Sequence, residues 1–112
     1  MTRHAAFSSL PFDRWPDLDR RLFEAARRAG DVLEAGGPAA AWRPKTVLWA
    51  TEGYGCWLTW LDRRGELDGI EDPACRCTPD RLRAYLDALQ EHLSPATVAT
   101  RLRALKRVLA VM

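Results

Sequence analysis

The sequence predicts an all-α protein, a compact four- to five-helix, partly orthogonal bundle. Three observations carry that expectation. Apolar residues recur at offsets of three, four and seven in four separate stretches. No stretch alternates apolar and polar residues convincingly, and β-branched residues are scarce. Two pairs, Thr78-Pro79 and Ser94-Pro95, have the form of a capping hydroxyl followed by a proline at the first helical position. At 112 residues, with 47% apolar and 29% charged, the chain has the make-up of a single folded domain.

The elements follow in order. Residues 1–14, with His4 among them, are expected to be a flexible tail, and residues 15–112 the helical domain. The first helix is expected to start at Pro16, with Asp17 and Asp19 near its positive end and Leu18, Leu22, Ala25, Ala26 and Ala29 turned inward. Gly30 permits a break, Val32 and Leu33 add a short turn, and Gly36-Gly37-Pro38 makes a loop. A second helix runs from Pro44 to about Arg64, with Val47, Ala50, Tyr54, Trp57, Leu58 and Leu61 on its core stripe. Trp49 and Trp60 fall on another face, packed on the N-terminal helix or exposed as a second contact surface. Gly53 and Gly55 each cost about 1 kcal/mol in a helix interior; close packing or a local kink would account for them.

Residues 65–78 read as an acidic loop. The third helix follows Thr78 with Leu82, Tyr85, Leu86, Leu89 and Leu93 on one stripe. The fourth follows Ser94 with Val98, Leu102, Leu105, Leu109 and Met112. So short a connection forces the last two helices to pack side by side at a sharp angle.

Charge is unevenly spread. The formal net charge is only +2, yet residues 94–112 carry four positive side chains and no acid. Residues 42–65 are the other basic stretch, so a polyanion-binding surface must be built from these two. No run is apolar enough for a signal peptide or a membrane span, and neither a membrane partner nor a small-molecule substrate is expected. Cys56, Cys75 and Cys77 are odd in number and make no disulfide framework, so a reducing cytoplasm is the expected compartment. Cys75-Arg76-Cys77 is too tightly spaced for the usual zinc hairpin, and no other pattern calls for a metal or cofactor.

The runs WRPKTVLWATEGYGCWLTWLDRRGELD and CTPDRLRAYLDALQEHLSPATVATRLRALKRVL resemble the core-binding domain of the tyrosine recombinase (phage integrase) family. The marks are Thr46, Tyr54, Trp57-Leu58, Leu61, Thr78-Pro79, Leu82, Tyr85-Leu86, Leu89, Ser94-Pro95, Thr97, Leu102 and Leu105. Their order and spacing, rather than any one of them, carry the likeness, which covers about residues 15–112. The resemblance implies a SAM-like helical domain that forms half of a clamp on double-stranded DNA. It also implies contacts with other recombinase subunits and association with the nucleoid when bound. The family's chemistry resides in a separate catalytic domain with a nucleophilic Tyr and a His-x-x-Arg motif. No such motif occurs in these 112 residues, and Tyr54 and Tyr85 lie on inward stripes. The expectation is a DNA-binding domain of a site-specific recombinase without its catalytic part, not an enzyme as it stands, whether fragment, truncated product or expressed domain.

On this likeness the DNA-contacting candidates are Thr97, Thr100, Arg103, Lys106 and Arg107 on the last helix, with Arg43, Lys45 and Thr46 at the start of the second. Hydroxyls and guanidiniums suit phosphate oxygens, and a helix start favours an anion. Composition alone gives the blander reading of a solvated face and ordinary helix-start residues. The rival function is a protein-interaction or dimerisation module using a Trp49/Trp60 face.

Overall fold

A computed structural model describes residues 8–31, 33 and 35–112, and all regular structure among them is helical. Four α-helices span Asp17–Arg27 (α1), Pro44–Arg63 (α2), Pro79–His92 (α3) and Pro95–Val111 (α4), with short 3₁₀ turns at Phe12–Arg14 and Pro73–Arg76. The helix starts follow the local chemistry. The Thr78 hydroxyl accepts from the Arg81 N–H and the Ser94 hydroxyl from the Thr97 N–H, each followed by proline where no N–H is needed. Leu93, in extended conformation, is all that separates α3 from the Ser94 cap of α4.

The core is built on α2. Ala50, Tyr54, Trp57, Leu58 and Leu61 are each 0% exposed, and Val47 is half-buried at the upstream end of the same stripe. Tyr85 and Leu89 of α3 and Val98, Ala104, Leu105 and Val108 of α4 close over it. α4 packs chiefly on α2. Gly53 lies against Ala104, the Arg101 guanidinium on the Cys56 thiol, and Arg107 over the Trp42 ring. These pairs run in opposite chain directions, so the two helices are antiparallel. Close packing accounts for both glycines. A Cβ at Gly53 would overlap that of Ala104, and one at Gly55 would come within 2.6 Å of the Leu10 carbonyl oxygen.

Several expectations need correction. Residues 8–14 are not a loose tail. The Leu10 N–H donates to the Gly55 carbonyl at 3.1 Å, Trp15 Nε1 donates to the Leu10 carbonyl at 3.0 Å, and Phe12 stacks edge-on with Trp15. A glycine on α2 gives the chain room to lie there. His4 and Val32 fall outside the described residues. Pro16 is the N-cap of α1 rather than its first residue, and the inward stripe is Asp19, Phe23 and Ala26, one position round from the expected leucines. Leu18 and Leu22 are half-buried, while Ala25 and Ala29 are exposed. Trp60 is no surface residue. It is 5% exposed, stacked on Trp57 at 5.6 Å and capped by Arg64, which removes half of the expected Trp49/Trp60 contact face.

The reason for the rotation of α1 is a buried ion pair. Arg76, from the loop after α2, grips Asp19 two-handed, Nη1 to Oδ2 at 2.7 Å and Nη2 to Oδ1 at 2.8 Å, and both side chains are fully buried. Tyr54 Oη donates to Asp19 Oδ2 at 2.5 Å, and Arg76 Nη2 also reaches the Asp68 carbonyl. Burial, then the charge of Asp19, raises the Tyr54 phenol well above its ordinary value, so it stays a donor. Burial opposes the charge on Arg76, but the hydrogen bonds and charge of Asp19 outweigh it. One arginine thereby ties α1, α2 and the acidic loop together.

Candidate nucleic-acid interface

The start of α2 differs from the other three. α1 has Asp17 and Asp19 in its first turn, and α3 and α4 have side-chain caps. α2 has neither: Arg43 at its N-cap makes no side-chain cap bond, and no acid lies in its first turn. The positive end of the helix is therefore uncompensated within its own sequence. Arg43 and Lys45 are exposed there, and Thr46 is half-buried in the same turn.

The antiparallel packing brings the second half of α4 to this corner. Arg107 sits over the Trp42 ring, 5.2 Å from its centroid, one residue before Arg43. Trp42 is itself held by Phe23 at 6.0 Å, and its carbonyl accepts from Arg27 Nη1. The ring is thus a fixed platform that orients the guanidinium. Lys45 and Thr100 line one groove of about 410 Å³ beside the helix contact, together with the exposed Leu48 and with Trp49, Glu52, Gly53, Arg101 and Ala104.

Helical turn, at about 100° per residue, sorts the α4 candidates. Thr100, Arg103 and Arg107 lie within a strip about 60° wide, with Thr100 nearest Ala104 and Arg103 about 100° round from Ala104. The Thr100 hydroxyl donates to the Ala96 carbonyl and accepts from Arg103 Nη2 at 3.4 Å. Lys106 stands about 100° round from Arg107, on the side away from Ala104 and α2. Thr97 is about 15 Å down the helix from Arg107, and its hydroxyl is engaged by Ser94 at 3.0 Å. Contacts therefore join Arg107 to Trp42 beside Arg43, and Lys45 to Thr100 and, through it, to Arg103, while Thr97 lies one turn before Thr100. Among the described residues, no ion pair involves Arg43, Lys45, Arg103, Lys106 or Arg107.

Sequence reasoning missed two members of this surface. Trp42 is not among the DNA-contacting candidates of the sequence, although an aromatic residue directly before Arg43 is the available signal. Arg101 is half-buried with its guanidinium on Cys56, an engagement that nothing in its local sequence signals. Burial pushes the Cys56 thiol up to about 11, so it remains a neutral thiol at neutral pH.

No helix among the described residues is long and apolar enough to cross a membrane. No protein-family model, curated protein sequence or solved structure matches this chain.

Proposed function

We propose that this chain is a DNA-binding module that grips duplex DNA through its phosphates, in the manner of the recombinase core-binding domain it resembles. On this reading it has no strand-cleaving activity of its own, and other subunits on the same DNA are its natural neighbours. The observation that carries the reading is the meeting of the unpaired cations of α4 with the uncapped, acid-free start of α2. Guanidiniums without carboxylate partners are available to phosphate oxygens, and free N–H groups at a helix start add to the same field. Arg107 comes pre-oriented by Trp42, so less rotamer freedom is lost when it takes a phosphate.

Binding of this kind is salt-sensitive, because each neutralised phosphate releases counterions. The test is the double variant Arg103→Ala with Arg107→Ala, measured by fluorescence anisotropy on duplex DNA across a salt series. Loss of two phosphate contacts should flatten the slope of log affinity against log salt by about 1.8. A double variant that keeps the wild-type slope would mean that this face does not carry the DNA.

A further inference from the structure

We propose that the groove beside the α2–α4 contact is where a second copy of this chain docks, the two α2 helices lying antiparallel across a two-fold axis between Leu48 and Trp49. The pairing does not depend on DNA binding. Leu33, Leu48 and Ile70 are the large apolar side chains left exposed among the described residues. Leu33 and Ile70 lie in loops, but Leu48 is on α2, 66% exposed, at the rim of a mainly apolar groove of about 410 Å³. The groove stays open because its floor is made of Gly53 and Ala104. Trp49 forms one wall, half-buried with part of its ring packed on the core. The Arg101 guanidinium is engaged by the Cys56 thiol, so the occupant has no need to pair it.

The charges identify the occupant. Lys45 and Glu52 are both exposed groove residues, two turns and about 10.5 Å apart along one face of α2, with Leu48 and Trp49 midway between them. Neither has an ion pair among the described residues. A two-fold contact joins one patch to itself, so the patch must carry both signs of charge and both a projection and a recess. This one does. Antiparallel α2 helices set Lys45 of each copy opposite Glu52 of the other, and Leu48 of each against the other's Trp49 and into its groove. The same arrangement brings a carboxylate to the first turn of α2, which has no acid of its own. A partner helix of one charge sign would leave either Lys45 or Glu52 facing its like. Arg43, Arg103 and Arg107 do not line the groove, whereas Lys45 serves either DNA or the second copy. A contact across one groove is small, which puts the dimer in the weak, reversible class.

The experiment is sedimentation of the protein without DNA at low ionic strength, where such charge pairs are least screened. The average mass of the wild type should rise with concentration from 12.7 kDa toward twice that value. Lys45→Glu and Glu52→Lys each turn two attractive pairs into two repulsive ones, so each variant alone should self-associate about tenfold more weakly. Mixed one to one, the two variants should associate with each other, because every pair across the axis is then opposite in sign. The chain carrying both substitutions should recover wild-type self-association. Leu48→Asp should remain one chain at every concentration with the wild-type helical circular dichroism, since the side chain it replaces is exposed. A wild type that remains one chain overturns the pairing and leaves the groove to a different protein or a small apolar ligand. A wild-type dimer that both single reversals leave intact, or a one-to-one mixture that does not associate, overturns it too. DNA binding stands or falls separately, by the salt series above.

Discussion

Arginine does opposite work at the two ends of α2. Beyond its C-terminus three arginines are paired: Arg76 with Asp19, Arg64 with Glu66, and Arg81 with Glu66 and Glu71. The carboxyl of Glu66, bonded to Arg64, is held below the usual carboxylate range. At its N-terminus, Arg43 and Lys45 meet Arg103 and Arg107 with no carboxylate among their ion-pair partners, and Arg107 rests on an indole instead. The same side chain is thus a clamp where acids come within reach and an unclaimed ligand for anions where they do not. A net charge of +2 conceals this division.

The contrast makes claims of different size. The largest concerns Arg76→Ala, which leaves the Asp19 carboxylate buried without its cation. Urea denaturation should show a loss of about 3–5 kcal/mol. A loss below 1 kcal/mol would mean that the clamp contributes little. An intermediate effect belongs to the seam between the two regions. Gly53→Ala sets a methyl on the Ala104 methyl. Overpacking of this kind typically costs about 1–3 kcal/mol, set against about 1 kcal/mol of helix propensity gained. A net loss is expected in the same titration, relieved when Ala104→Gly is added. The smallest effect is at the other end. The Arg103→Ala, Arg107→Ala protein should denature within about 0.5 kcal/mol of wild type, while the salt slope of the proposed DNA binding becomes shallower. If it unfolds instead, those residues are structural and the division fails.

How much of this was legible depends on whether a residue's role is local. The α2 stripe and the Thr78 and Ser94 caps are local facts, set by helical period and by a hydroxyl beside its own backbone, and they stand where the sequence put them. Asp19 was not legible. A carboxylate in a first turn reads as a partner of the helix dipole, and only a guanidinium 57 residues further along makes it a core residue. Its burial turns α1 by one position and leaves Leu18 and Leu22 half-exposed. Trp60 misled for a related reason: its helical position lies off the main stripe, yet Tyr85 at 5.1 Å closes over it. The candidate surface was partly legible. Charge counting found both basic stretches, but the Arg107–Trp42 stack joins residues 65 positions apart, which no local pattern reveals.

The length of α2 has a consequence of its own. Its 20 residues span about 30 Å, with the cationic corner at one end and the acid-rich loop held in place by Arg76 at the other. Cations without ion-pair partners accordingly stand at one end of a rigid axis and paired charges at the other. Approaching a negatively charged polymer, the molecule would be turned by the field before touching it, basic end foremost, so that productive collisions outnumber those of a uniformly charged sphere.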